Sequence, residues 1–221
     1  MMINDRSIQE FVRESEEALG PRFAGFEETA LFNQAKVLNA FKEERVGTHH
    51  FTTSTGYGYA DLGRETLERV FARALGAEAA LVRQQIVSGT HAINLCFSGV
   101  LRPGDELIFA TGLPYDTLRT VLGLSGAAPG NLQEYGVTVK VVPLLSGGMI
   151  DQEGLRAALT PRTKMVAFQR SCGYAARPSF TNKQLAPVFA MLRQLPEPPV
   201  LFVDNCYGEF VEREEPLAVG A

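Results

Sequence analysis

From Asp61 onward the chain alternates short apolar runs with amphipathic stretches, and that alternation restricts the folds open to it. LGRETLERVFARALG reads as a helix closed by Gly76. AALV and QQIV come next as strand-like runs, SGTHAINLCFSGVL as a turn and a helix, ELIFA as a strand, YDTLRTVLGL as a helix and VTVKVVPL as a strand. DQEGLRAAL is a helix that Asp151 can cap, KMVAFQ a strand, TNKQLAPVFAMLRQL a helix with Thr181 as cap and Pro187 as a kink point, and PVLFVDN a strand. Strands alternating with helices predict an α/β fold, a mostly parallel sheet with right-handed crossovers. Ligands in such sheets bind beyond the carboxyl ends of the strands.

The first sixty residues differ. Ile8, Phe11, Val12 and Ser15 predict one helix, and Leu31, Ala35, Leu38 and Phe41 predict a second over 27–44. Gly47 to Ala60, rich in Thr, Gly and Tyr, predicts an irregular segment shaped for contact. The expected division is therefore 1–60, helices and an arm, and 61–221, an α/β domain.

Composition excludes several functions. A net charge of −4 without clustered Lys and Arg argues against a nucleic-acid surface. The polar amino end lacks a signal-peptide core, and no apolar run nears the roughly 20 residues of a membrane helix. Three cysteines, Cys96, Cys172 and Cys206, form no disulfide framework and fit a reducing, cytoplasmic setting. His49 and His50 are adjacent and His91 stands alone, so no zinc-like spacing exists. No GxGxxG or GxxxxGK[ST] loop occurs.

The candidate site residues are those placed just beyond each strand. Ser88-Gly89-Thr90 opens a helix, where N–H groups and the helix dipole make an anion site; a plain capped helix is the commoner meaning of that tripeptide alone. Asp204 ends the run VLFVD. A carboxylate there needs a partner, which a protonated pyridine nitrogen or the next turn's N–H can equally supply. Tyr115 comes after ELIFA and can stack on a flat ring or pack a helix start. Gln169, Arg170 and Ser171 come after KMVAF and can reach a ligand or form a solvated loop. Ser88–Thr90 and Asp204 together, at ends of one sheet, favour a phosphate-bearing heterocycle.

GYGYADLGRETLERVFARALGAEAALVR, QIVSGTHAI, GLPYDTL, FQRSCGY and VDNCYGEF, in this order, resemble the methionine gamma-lyase-like family of pyridoxal-phosphate (PLP) enzymes, often called aluminium-resistance or cystathionine beta-lyase proteins. The resemblance spans nearly the whole chain. It implies the fold-type-I, aspartate-aminotransferase-like architecture and a carbon–sulfur lyase acting on sulfur amino acids. It implies that Gly89 and Thr90, with Ser88 nearby, bind the PLP phosphate, that Tyr115 stacks on the ring and that Asp204 partners the ring nitrogen. Gln169 and Ser171 fit the family's cofactor-side segment, and Cys172 stands where the family usually has a basic residue. Tyr57 is implied to reach the phosphate of a neighbouring subunit's cofactor, hence a homodimer or homotetramer with Gly47–Ala60 as its arm.

The resemblance also implies a lysine that holds the cofactor covalently, past Ala221, and a carboxyl-terminal domain with an arginine for the substrate carboxylate. The chain is thus expected to be a fragment, inactive alone. Its five lysines, Lys36, Lys42, Lys140, Lys164 and Lys183, all precede Asp204. A non-catalytic PLP-fold scaffold, or another PLP reaction such as transamination or a transsulfuration synthase, remains open on the same fold.

Overall fold

A computed structural model describes residues 6–57, 59, 61–126 and 129–221. Of the expected amino-terminal region 1–60, residues 1–5, Gly58 and Ala60 lie outside the described residues. The chain opens with α1 (Arg6–Glu43), then a 3-10 turn Thr48–Phe51 and α2 (Leu62–Leu75). Beyond these come α3 (Gly89–Val100), β1 (Glu106–Phe109), α4 (Asp116–Leu122), β2 (Thr138–Val141), α5 (Gln152–Ala158), β3 (Thr163–Gln169), α6 (Asn182–Arg193) and β4 (Val200–Asp204).

The four strands form one sheet in the order β2-β1-β3-β4, and every pairing is parallel. Alternation along β1 explains how it is filled. Leu107 and Phe109 point to a layer with Ile93, Phe97, Leu118 and Leu122 of α3 and α4. Ile108 joins Leu155, Leu185, Phe189 and Leu192 of α5 and α6 on the other side. Helices cover both faces, so β1 is apolar at successive positions, as parallel strands are. Edge-to-face ring pairs lock both layers: Phe97 on Phe109 at 6.2 Å and Phe168 on Phe189 at 5.0 Å.

The predicted caps are present. Asp151 accepts the Gly154 N–H at 2.8 Å, and Thr181 with Gln184 makes a capping box that starts α6. Gly76 closes α2 at φ 70, and Pro187 lies inside α6 without ending it.

Two expectations fail. The predicted pair of opening helices is a single helix of 38 residues that runs through Pro21. Leu19, Phe23 and Phe26 carry the apolar spacing across Gly20-Pro21. The segment is exposed there, so the carbonyl that Pro21 leaves unbonded can meet water. AALV and QQIV are not strands. A strand requires a hydrogen-bonding neighbour, and these runs have none among the described residues. Their backbone is served otherwise: the Val82 N–H donates to the Glu68 carboxylate at 2.9 Å, and Ile86 N–H to the Arg83 carbonyl.

The second half of α1 packs on α2 through Val37, Ala40, Val70 and Ala74. Buried Asn33 also ties α1 to the far end of the chain, donating to the carbonyls of Phe210 at 2.7 Å and Glu212 at 3.0 Å. At the amino end of the sheet, fully buried Glu106 is paired with Lys140 at 2.5 Å and Arg162 at 2.8 Å and accepts from the Thr160 hydroxyl at 2.9 Å. This end is opposite the strand termini where ligands bind.

Candidate active site

The segments beyond the strands meet at the carboxyl edge of the sheet. Ser88 is the N-cap of α3, with extended backbone, and its Oγ accepts the His91 N–H at 3.1 Å. The Gly89 and Thr90 N–H groups precede the first helical donor, the Ala92 N–H that bonds the Ser88 carbonyl, and are left for a ligand. A β-carbon built on Gly89 meets nothing within 4 Å, so space lies open in front of those donors. A twelve-residue helix directs the positive end of its dipole into that space.

Tyr115, at the start of α4, closes one side. Its phenol and the Thr90 hydroxyl are 3.1 Å apart, which ties the loop after β1 to the start of α3. Thr90 Oγ1 also lies 3.4 Å from Thr117 Oγ1. Burial pushes the Tyr115 phenol above its ordinary pKa, so it stays neutral and can donate.

Gln169 lies behind Tyr115. Its Oε1 accepts the Tyr115 N–H at 3.0 Å, its Nε2 donates to the Ser171 carbonyl at 3.0 Å, and its own N–H donates to Thr111 Oγ1 at 2.9 Å. The Ser171 carbonyl is also held by Arg177, whose guanidinium lies 4.7 Å from the Phe180 ring centre. Arg170 is buried too, and its guanidinium reaches the segment after β4.

Asp204 ends β4 directly beside Gln169 in the parallel register. The Cys206 N–H donates to its Oδ1 at 3.2 Å. Burial raises the carboxyl pKa, the Cys206 N–H opposes that shift, and Glu209 adds to it. Its Oδ2 receives no hydrogen bond from the described residues. A half-buried carboxylate with a free oxygen is suited to a cationic N–H donor.

Thr90, Tyr115, Gln169 and Ser171 are therefore joined by hydrogen bonds at one edge, Ser88 and Gly89 adjoin Thr90 along the chain, and Asp204 pairs with Gln169 in the strand register. Tyr57 is not among them: its ring is 85% exposed on the segment before Asp61, where Ser54 donates to the Asp61 carboxylate at 2.7 Å. Sequence reading missed the holding roles of Arg170 and Gln169. Their one visible signal was polar residues placed directly after a buried strand.

The donor set fits PLP. An open helix N-terminus suits a dianionic phosphate, Tyr115 offers a ring face beside it, and Asp204 offers the acceptor a protonated ring nitrogen needs.

Comparison with known proteins places the chain in a family. The family model described as methionine gamma-lyase matches residues 8–221. An uncharacterised Bacillus subtilis protein, YnbB, is 47% identical over 196 residues, 88% of this chain and 47% of that protein. L-methionine gamma-lyase of Pseudomonas putida is 28% identical over 168 residues, 75% of this chain and 37% of that enzyme. A solved Listeria innocua protein, provisionally called a cystathionine beta-lyase involved in aluminium resistance, superposes with a TM-score of 0.94 at 48% identity, covering 97% of this chain and 52% of its own. A carbon–sulfur lyase involved in aluminium resistance from Clostridium novyi superposes with a TM-score of 0.93 at 38% identity, covering 99% and 52%. The chain thus spans about half the length of the relatives it matches, or less. The architecture is that of fold-type-I PLP-dependent lyases, and the chain belongs to the methionine gamma-lyase family.

Proposed function

We propose that this chain supplies the cofactor cradle of a PLP-dependent carbon–sulfur lyase acting on sulfur amino acids. One observation carries the reading: an open helix N-terminus at Gly89 and a half-buried carboxylate at Asp204 lie at one sheet edge, joined through Thr90, Tyr115 and Gln169. Bound PLP supplies an electron sink for a breaking bond at the substrate Cα.

The residues of this chain do the rest of the work assigned to it. The Gly89 and Thr90 N–H groups grip the phosphate, while Ser88 keeps the helix start in place. Tyr115, held at its N–H by Gln169 and at its hydroxyl by Thr90, lies along the ring face. Asp204 holds a proton on the ring nitrogen. Gln169 and Ser171 border the ring, and Gln169 acts mainly by fixing Tyr115. Anchoring at both ends limits rotation of the ring, which lets geometry select the bond that breaks.

The protein is further read as a cytoplasmic homodimer or homotetramer, with 1–60 as its helical arm and 61–221 as the cofactor-binding domain. The exposed rings of Phe11 and Phe26 along α1 and the exposed Tyr57 support subunit contact. Three free cysteines support a reducing compartment. Tyr57 then reaches a neighbour's cofactor phosphate. Mixing Tyr57→Phe chains with Asp204→Asn chains tests that: restored PLP uptake in the mixture is expected, and no restoration overturns it.

A second reading, a non-catalytic oligomer partner, is open on the same fold. The decisive experiment is PLP titration of the protein encoded by the complete reading frame, then thiol release from methionine and cystathionine. Uptake of PLP with thiol release supports the lyase. Uptake without release supports the partner, and no uptake removes both. The 221-residue chain alone is expected to release no measurable thiol.

A further inference from the structure

We propose that Arg170 is a positioning residue that clamps the segment after β4 and so keeps the Asp204 carboxylate aimed at the cofactor ring. The inference rests on the PLP reading and gives a role to a buried cation at this edge that the reading leaves without one.

Arg170 is 4% exposed. Its Nε donates to the Phe180 carbonyl at 2.9 Å, and its Nη1 donates to Asn205 Oδ1 at 2.8 Å and to the Gly208 carbonyl at 3.0 Å. Its Nη2 is paired with Glu212. Its main-chain N–H donates to the Asp204 carbonyl at 3.0 Å. The guanidinium therefore grips the chain on both sides of Cys206, the residue whose N–H bonds Asp204 Oδ1 at 3.2 Å. Only a planar fork of several donors can make these contacts at once, and a lysine ammonium cannot.

Three further observations show that the segment is held in a shape it would not adopt unaided. Tyr207 and Phe210 are non-glycine residues with left-handed backbone, φ 66 and φ 59. Such residues persist where their surroundings over-determine them. Glu215 supplies a second anchor, accepting from Asn205 Nδ2 at 3.0 Å and from the Phe210 N–H at 2.9 Å. At Gly208 a β-carbon would lie 2.8 Å from Arg170 Nη1 and 2.5 Å from Asn205 Oδ1. Glycine is what lets the segment close on the guanidinium.

A loop staple alone would affect folding. A clamp acting through the Cys206 N–H also alters Asp204. Without that N–H the carboxylate loses its donor among the described residues, so protonation of Asp204 begins at higher pH and the acid limb of PLP binding moves upward.

The test uses the protein from its complete reading frame, with Arg170→Met, Arg170→Lys and Gly208→Ala. In Arg170→Met we expect at least tenfold faster hydrogen exchange at the Cys206 amide, with the β3 amides unchanged. We also expect at least tenfold weaker PLP binding and an acid limb shifted to higher pH. Arg170→Lys should recover folding but not PLP affinity. Gly208→Ala, which keeps the guanidinium, should reproduce the losses, and it decides the matter if Arg170→Met fails to fold. Folded variants with unchanged Cys206 exchange, PLP affinity and pH profile overturn the proposal. If the unmutated protein takes up no PLP, the cofactor reading fails by itself, and unchanged Cys206 exchange then overturns the clamp while accelerated exchange supports it.

Discussion

The carboxamide oxygen of Gln169 accepts the main-chain N–H of Tyr115 at 3.0 Å, across 54 residues of sequence. Replacing Gln169 with Leu leaves that N–H without its acceptor, at a cost of about 1–3 kcal/mol. Gln169→Glu keeps the acceptor and should retain more of the stability. Denaturant unfolding of the two variants measures the difference; equal stability of Gln169→Leu and the parent would remove the contact's importance.

Gly89 offers a substitution that separates folding from binding. Nothing lies within 4 Å of an added β-carbon, and at the first helical position alanine gains at most the roughly 0.5–1 kcal/mol it has over glycine in a helix interior. Gly89→Ala is therefore expected to melt at or slightly above the parent temperature. Its methyl occupies the space in front of the phosphate-binding donors, so PLP affinity should fall, roughly tenfold for each 1.4 kcal/mol lost. Unchanged affinity would place the phosphate elsewhere.

Asp204 carries a cost in the cofactor-free protein. Burial raises its carboxyl pKa, so the folded state holds the proton more tightly than the unfolded chain does. Stability from that difference is present below the ordinary aspartate value and is lost as pH rises through the raised one. Asp204→Asn escapes this loss, and without PLP it should be at least as stable as the parent at neutral pH. It also gives up a charge-assisted hydrogen bond of about 1.5–3 kcal/mol, so PLP affinity should drop by roughly 10- to 100-fold. Thermal melts with and without PLP read both effects; an Asn variant that binds PLP normally would contradict the assignment.

Glu106 gives the opposite pH behaviour at the other end of the sheet. Burial alone would raise its carboxyl, but the ion pair with Lys140, the Thr160 hydrogen bond and the charge of Arg162 outweigh burial and hold it low. Its contribution is present above the ordinary glutamate value and is lost as pH falls through the lowered one. Glu106→Gln should cost about 1.5–3 kcal/mol at neutral pH, toward the low end because Arg162 is largely exposed. The gap between variant and parent should close in acid, while PLP affinity stays unchanged. A gap that persists at low pH would show that packing, not charge, is responsible.

Local signals made part of this molecule legible in the sequence. Asp151 and Thr181 announce α5 and α6 because capping is settled within three residues. Asp204 and Ser88–Thr90 stand out because polar groups directly abut a buried strand or open a helix. What stayed hidden depends on distant partners. Gln169 reads as a ligand contact until Tyr115, 54 residues away, takes its oxygen. Arg170 has no visible role until Asn205 and Glu212 fold back on it. AALV has strand composition but no neighbouring edge among the described residues, and ladder bonds are a tertiary property. Gly20-Pro21 lies between the two predicted helices, yet an exposed helix can lose one hydrogen bond and continue.

Asn33 has a consequence for the order of events during synthesis. It lies on the first described helix, and its two acceptors are carbonyls 177 and 179 residues later. The Asn33 bonds must therefore wait until Phe210 and Glu212 have been made, long after Val37 and Ala40 can pack on α2, and closing so long a loop is slow. Until then the surface around Asn33 is bare, a target for chaperones and for premature association with other nascent chains.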